Sequence, residues 1–155
     1  MAWKIALGVQ KILEDRWGAD VYLTKKAAND PSSDELYTRY NKANNLNADV
    51  FVSIHLNGAA SEQANGTETF YYPGSNRGLK LATSIHKQVI NCLKLTDRGV
   101  KTETYAVLRY TDMPAALVEV CFLSNLKDEQ FITSMDNIHK ASEAIAQGIV
   151  DYFYA

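Results

Sequence analysis

The chain of 155 residues is long enough for one domain with a substantial buried core. Its formal net charge of -2 gives no basic surface for nucleic acid, so no nucleic-acid partner is expected. No apolar run approaches the roughly 20 residues needed to span a bilayer. Residues 1–10 are amphipathic and lack a signal peptide's continuous apolar segment, so any export must be encoded elsewhere or managed another way.

Helical and strand-like patterns alternate along the chain, without an internal repeat or a linker. The first half predicts a helix over 3–17 closed by Gly18, a strand over 19–24, a loop over 29–33, a helix to about Leu46 with a Ser32–Glu35 capping box, and a strand over 50–54. The second half predicts a loop over 57–66, strands over 67–72, 105–109 and 116–122, and helices over 75–93, 126–133 and 136–153. This alternation predicts a three-layer α/β/α domain with a mostly parallel, mixed central sheet, and the very apolar run 116–122 predicts its central strand.

The cysteine count excludes a fold held together by disulfide bonds. Cys92 and Cys121 are the two cysteines, and their positions do not make a zinc-finger spacing. We expect both to be free and buried as small apolar side chains.

His55 lies where the short apolar strand 50–54 gives way to a polar, glycine-containing loop. Along that strand Phe51, Ser53 and His55 point to one side, and the intervening valine and isoleucine side chains point to the other. Strand ends of this kind face the crevice in which α/β proteins bind ligands. A metal ligand is therefore one interpretation of His55, and a hydrogen-bonded core or edge histidine is the other.

Glu119 interrupts the otherwise buried run over residues 115–123. A carboxylate in such a run must be paired, bound to a metal or held neutral. Burial raises the pKa of a carboxyl group toward the range that is useful for proton transfer at neutral pH. Glu119 is thus a candidate general base, and the alternative is a strand-end glutamate paired with a surface cation.

Weaker candidates surround this pair. Asn57 adds a polar group beside His55, Glu68 lies on the strand 67–72, and Arg98 lies in a turn-like segment where it could orient a peptide carboxylate. Solvent-facing side chains are the alternative for Glu68 and Arg98. His86 and His139 are interpreted as exposed or partly exposed helix residues.

Several segments together resemble the zinc-dependent N-acetylmuramoyl-L-alanine amidases of the amidase-3 family, which cut peptidoglycan. The matching pieces, in the family's order, are residues 21–25, 36–39 with 43–44, 48–57, 66–71, 97–101, 105–109, 113–125 and 144–152. They cover nearly the whole chain. Any one piece is ordinary, but the set in this order is specific.

The resemblance implies a phosphorylase/hydrolase-like fold and a set of roles. His55 matches a zinc ligand, and Glu119 matches the catalytic glutamate beside the metal-bound water. The bond cut would join N-acetylmuramic acid to L-alanine of the stem peptide, with Asn57, Glu68 and Arg98 as substrate contacts. Peptidoglycan is then the partner, the cell wall or the extracellular space the place of action, and a monomer the expected state.

The resemblance also implies an N-terminally incomplete domain over residues 1–155. The family begins with a strand and a His and a Glu zinc ligand, which by alignment would lie upstream of Met1. One ligand of about three remains, so we expect poor zinc binding and little hydrolysis from this chain alone. A non-catalytic, peptidoglycan-binding or regulatory pseudoenzyme is the alternative, and an unrelated α/β binding protein would not explain the order of the motifs.

Overall fold

Four strands and six α-helices make up the part of the chain that the structure, a computed structural model, describes: residues 1–33 and 35–155. The strands are β1 (Phe51–Asn57), β2 (Thr67–Tyr71), β3 (Asp97–Thr102) and β4 (Ala115–Phe122). The helices are α1 (Ala2–Trp17), α2 (Leu36–Asn45), α3 (Asn76–Leu93), α4 (Ala106–Arg109), α5 (Leu126–Thr133) and α6 (Met135–Tyr154), and a 3-10 turn spans Pro31–Ser33. None of the described helices is long and apolar enough to cross a membrane.

The sheet has the order β1-β4-β2-β3. β4 runs parallel to β1 and antiparallel to β2, and β2 runs parallel to β3, so the sheet is mixed and mostly parallel. The most apolar strand, β4, lies inside the sheet between β1 and β2, and seven of its eight residues are buried. The predictions of a mixed sheet and of a central strand near 116–122 are confirmed.

Helices cover both faces of the sheet and make three layers. The larger core cluster joins α1, α3, α5 and α6 to one face through residues such as Ile5, Ile85, Val118 and Ile145. The smaller cluster joins α2 and α4 to the other face around Phe51, Phe70 and Leu117. Both clusters form because alternate strand residues point to opposite faces, and each face carries apolar side chains.

Two strand predictions are wrong. Residues 19–24 form no strand, since β1 pairs only with β4 in the described chain and the segment has no strand beside it. Residues 106–109 form the short helix α4, whose adjacent Val107 and Leu108 are both buried, as one helical turn allows and an alternating strand does not. The turn-like segment around Arg98 is the strand β3.

The start of α2 also differs from the prediction. The helix begins at Leu36 with Glu35 as its N-cap, and none of the described side chains caps it, so the Ser32–Glu35 capping box is not formed. Asp30 explains the difference, because its carboxylate accepts hydrogen bonds from the backbone N–H groups of Lys26 and Ser32. These bonds hold a turn that includes Ser32, so Ser32 does not lie at the start of the helix. Residue 34, inside the predicted helix, lies outside the described residues.

The helical spacing of apolar residues also directs Trp17, Leu79 and Phe153 toward the core, and the structure places all three at the surface. Trp17 and Phe153 are about half exposed, and Leu79 is exposed whereas Leu81 is fully buried. Cys92 and Cys121 are both free, as expected, but only Cys121 is buried. Helix ends and helix-face boundaries depend on how far neighbouring elements extend, and sequence periodicity alone does not contain that information.

Candidate active site

Three ionisable side chains lie in one row across the sheet. His55 on β1 is the register partner of Glu119 on β4, and Glu119 is in turn the register partner of Glu68 on β2. Directly paired residues of neighbouring strands place their side chains side by side on one face. The structure therefore brings together the two residues predicted for chemistry and adds Glu68 as their immediate neighbour.

The strands' alternation places this row on the face that carries the smaller core cluster. Phe51 precedes His55 by four residues, Leu117 precedes Glu119 by two, and all four positions share one face by the period of two. The row thus lies beyond the apolar cluster, toward the carboxyl ends of β1 and β4. This is the edge of a parallel α/β sheet at which ligands bind.

Glu119 is the unsatisfied member of the row. Its Oε2 atom is buried, and no hydrogen-bond partner for it exists among the described residues. Burial, with a smaller contribution from the negative charge of Glu68, raises the pKa of the Glu119 carboxyl to about 7. The predicted alternative, a glutamate paired with a surface cation, is not found in the described chain. A buried acceptor without a partner is costly, and it is typical of functional positions.

Glu68 is the satisfied member of the row. Its Oε1 accepts a hydrogen bond from Asn57 Nδ2 at 2.8 Å, and its Oε2 accepts from Arg98 Nε at 2.9 Å and Lys101 Nζ at 2.7 Å. Burial by itself raises the pKa of this carboxyl, but the hydrogen bonds and the positive charge of Lys101 outweigh it, so the pKa lies below its ordinary value. Glu68 is 7% exposed, so the solvent-facing alternative is wrong.

A bulge in β3 explains how two cations reach one carboxylate. The register advances from Thr67 opposite Asp97 to Thr69 opposite Val100, which leaves one extra residue on β3. Gly99 has φ of 84°, a left-handed conformation that glycine adopts without strain. Arg98 and Lys101, three residues apart, can therefore both point at Glu68, and sequence alternation alone missed Lys101.

Arg98 is held on a second side as well. Its guanidinium carbon lies 4.8 Å from the centroid of the Phe122 ring, within the range of a cation–π contact. The Arg98 side chain is 34% exposed. The arginine is therefore fixed by Glu68 and Phe122, and it still presents part of its surface to solvent at the site.

The surroundings of His55 disfavour its protonated form. Burial, helped by the positive charge of Arg39, lowers the pKa of the imidazole. Its Nε2 lies 2.9 Å from the hydroxyl of Ser53, two residues earlier on the same face. Strand alternation places Ser53 on the His55 face, but the sequence analysis proposes neither Ser53 nor Arg39 as a site residue, and no local pattern places Arg39 beside His55.

Tyr105 lies close enough to the row to respond to its charges. Burial and the charge of Glu103 raise the pKa of its hydroxyl, and the charges of Glu119 and Glu68 add to the effect. The ring is packed edge-on against Phe70, with 5.6 Å between the ring centroids. Tyr105 is thus a further wall of the site that sequence analysis did not identify.

The other two histidines lie elsewhere. His86 is buried on α3, between the Thr69 hydroxyl at 3.0 Å and the Asp97 carboxylate at 2.8 Å. The expectation that it is partly exposed is therefore wrong, because α3 packs that side against β2 and β3. His139 is an exposed residue of α6, as expected.

The residues present do not by themselves fit a catalytic zinc ion. Such a site needs about three protein ligands. The described chain contains no group of three histidine, cysteine, aspartate or glutamate side chains that could hold a metal. His55, at a strand end, could supply one donor where three are needed.

The fold and the row together define a three-layer α/β/α domain with a buried glutamate, partly without hydrogen-bond partners among the described residues, on its central strand. The chain belongs to the N-acetylmuramoyl-L-alanine amidase family, because the family's sequence model matches residues 1–151. An uncharacterized cell wall amidase of Bacillus anthracis is 37% identical over 99% of this chain and 31% of its own length. The N-acetylmuramoyl-L-alanine amidase LytC of Bacillus subtilis is 38% identical over 79% of this chain.

Solved structures confirm the fold. The catalytic domain of the amidase CwlV from Bacillus (Paenibacillus) polymyxa has a TM-score of 0.89 and 38% identity, with 97% of this chain and 81% of that domain covered. An N-acetylmuramoyl-L-alanine amidase of Clostridium difficile has a TM-score of 0.91 and 32% identity, with 98% and 81% covered. The chain spans less than a third of the two curated relatives, 31% and 26% of their lengths.

Proposed function

We propose that the chain is a peptidoglycan hydrolase domain that cleaves the amide bond between N-acetylmuramic acid and the L-alanine of the stem peptide. The observation that carries this proposal is the buried Oε2 of Glu119, without a partner in the described chain, on a carboxyl whose pKa is about 7. Such a group can take up and return a proton near neutral pH. Membership of the amidase family supports the choice of bond.

Glu119 would act first as a base and then as an acid. A water oxygen attacks the lactyl carbonyl carbon while Glu119 accepts the proton that the water loses. The carbon–nitrogen bond then breaks, and Glu119 gives this proton to the departing nitrogen. The products are a lactyl carboxylate on the glycan and a free α-amino group on L-alanine. Glu68 keeps its charge throughout, because its two cations hold it ionised.

The substrate contacts follow from the same network. Arg98 is partly exposed beside the row, so its guanidinium can meet a carboxylate of the stem peptide. Asn57, whose side-chain amide is fixed by Glu68, opens the polar loop 57–66 and can contact the peptide backbone. We propose Asn57, Glu68 and Arg98 as the substrate-binding set, in a monomer that acts at the cell wall.

Zinc is proposed as the cofactor, with His55 as its candidate ligand in this chain. Two further donors would have to come from outside the described residues, since these contain no three-donor group. The isolated chain is therefore expected to bind zinc poorly and to hydrolyse peptidoglycan slowly.

The test is an analysis of reaction products with purified, insoluble peptidoglycan, with and without added zinc. The expected result is slow release of peptides that begin with a free L-alanine, detected by mass spectrometry after labelling of new amino groups. Glu129→Gln changes an exposed glutamate of α5 and should release the same peptides as the unchanged protein, so it controls for handling and folding. Glycan fragments with new reducing ends, or peptides cut internally, would contradict the proposed bond.

A non-catalytic wall-binding protein is the second candidate, and the lack of a three-donor group in the described chain favours it. It predicts that the chain cosediments with peptidoglycan but releases no L-alanine peptides at any zinc concentration. The product analysis above therefore separates the two candidates.

A further inference from the structure

His86 is a buried histidine on the opposite face of the sheet from the Glu68 carboxylate. It lies on α3 and is 6% exposed. Its Nε2 lies 2.8 Å from the Asp97 carboxylate, and its Nδ1 lies 3.0 Å from the Thr69 hydroxyl. Because a carboxylate only accepts hydrogen bonds, Nε2 donates to Asp97. Both nitrogens of this buried ring are therefore used, although the ring does not belong to the row of ionisable side chains.

Each partner of His86 is the sequence neighbour of a residue in the ion pair on the other face. Thr69 follows Glu68 on β2, and Asp97 precedes Arg98 on β3. Successive residues of a strand point to opposite faces of the sheet. The imidazole therefore joins β2 to β3 directly behind the place where Arg98 meets Glu68.

Asp97 also holds the bulge of β3. Its Oδ1 accepts from the backbone N–H of Gly99 at 2.8 Å as well as from His86. These hydrogen bonds lower the pKa of the Asp97 carboxyl, which therefore stays an ionised acceptor at neutral pH. Strict alternation would place Arg98 and Lys101 on opposite faces, whereas the bulge lets both reach one carboxylate.

A catalytic role for this trio is excluded by burial. Threonine, histidine and aspartate are residue types that also form nucleophilic catalytic sites. Thr69, however, is 0% exposed, so its hydroxyl cannot reach a bond of an external substrate. The trio can act on the chemistry of the site only through the side chains that its strands carry.

We propose that His86 is a positioning residue, which holds the β3 bulge through Asp97 so that Arg98 can bind a carboxylate of the stem peptide. Phe122 and the Asn65 carbonyl contact the guanidinium of Arg98 itself, at 4.8 Å and 3.5 Å. The hydrogen bonds of Asp97 instead fix the backbone from which the arginine extends. The inference rests on the proposed function for the nature of the ligand.

The Nε–H proton of Arg98 is the direct readout. It donates to Glu68 Oε2 at 2.9 Å, so it exchanges slowly with water only while that contact holds. NMR of ¹⁵N-labelled protein measures this exchange, and Arg98→Ala assigns the signal by its disappearance. We expect His86→Ala and Asp97→Ala each to speed the exchange by at least about tenfold, since both release the bulge.

Asp97→Ala makes the test independent of core packing. The Asp97 side chain is 58% exposed, so its removal leaves no cavity, whereas His86→Ala removes a buried ring. If circular dichroism shows that His86→Ala does not fold, Asp97→Ala decides the question. His86→Gln keeps an N–H donor for Asp97 and should restore slow exchange to within about twofold. His139→Ala, at an exposed histidine of α6, is the matched control and should leave the exchange unchanged.

Cosedimentation with purified peptidoglycan measures the consequence for binding. Arg98→Ala should weaken binding by about tenfold, roughly the effect of one charge-assisted hydrogen bond, and His86→Ala by a similar factor. The double variant should bind within about twofold of Arg98→Ala, because both changes remove the same contact. Peptidoglycan whose carboxylates have been converted to amides should bind His86→Ala and the unchanged protein equally.

Neither readout requires hydrolysis, so failure of amide cleavage and failure of this inference are distinguishable. Slow Arg98 exchange in the folded variants at His86 and Asp97 would overturn the proposal. So would losses of binding that add in the double variant, since His86 would then act independently of Arg98. Binding that Arg98→Ala leaves unchanged would overturn it as well.

Discussion

Glu68 and Glu119 are the same residue type, paired on neighbouring strands, yet their surroundings are opposite. Glu68 accepts three hydrogen bonds, two of them from cations, and the pKa of its carboxyl is lowered. Glu119 has a buried oxygen without a partner in the described chain, and its pKa is raised to about 7. Environment therefore shifts the pKa values of two chemically identical groups in opposite directions.

The largest expected effect concerns hydrolysis. Glu119→Gln should reduce the rate of L-alanine peptide release by about 10²–10⁴-fold, because the amide cannot accept a proton from water. Glu68→Gln should cost only about tenfold, since it leaves two cations that lower the pKa of Glu119. Quantitative mass spectrometry of released peptides measures both. Equal losses in the two variants would remove the distinction between the roles.

The next effect is on stability. Glu68→Gln should lower the free energy of unfolding at pH 7 by about 3 kcal/mol, the low end for breaking a buried ion pair, because Lys101 is 43% exposed and regains water. The contribution of Glu68 should disappear as pH falls through its lowered pKa. Urea denaturation measures the change, with Glu129→Gln as the matched control, expected within about 0.5 kcal/mol of the unchanged protein.

For Glu119 the free energy of unfolding is expected to depend on pH with the opposite sign. Between the ordinary value of 4.5 and about 7, the native carboxyl keeps its proton while the unfolded chain has lost it. Native stability therefore falls as pH rises through this window. Glu119→Gln should be more stable than the unchanged protein by about 2 kcal/mol at pH 8, allowing for partial solvent exposure, and nearly equal at pH 4.5. Urea midpoints at both pH values decide this, and a variant that is less stable at pH 8 contradicts the account.

Much of this arrangement follows from the sequence. The apolar run around Glu119 predicts a central strand, and the carboxylate inside it predicts a functional group. His55 at the end of an apolar strand predicts a second site residue. Both predictions are possible because both patterns are local. Glu68 was identified as a candidate, but its burial was not, because four of the five residues of β2 are buried and no alternation marks its inward face.

The remainder depends on contacts that no local pattern contains. Lys101 reaches Glu68 only because Gly99 forms a bulge that shifts the register of β3. Residues 19–24 have the alternation of a strand, but pairing needs a neighbour, and β1 lies across an open groove. Alternation therefore predicts that a segment can form a strand, and only the tertiary structure determines whether it does.

The most direct measurement is a titration of the two glutamates by NMR in metal-free protein carrying ¹³C-labelled glutamate side chains. Glu119→Gln and Glu68→Gln assign the two carboxyl signals by their disappearance. The account predicts that Glu119 titrates near pH 7 and Glu68 below 4.5. Two carboxyls that both titrate below 4.5 would contradict it, because Glu119 would then be ionised at neutral pH, as Glu68 is.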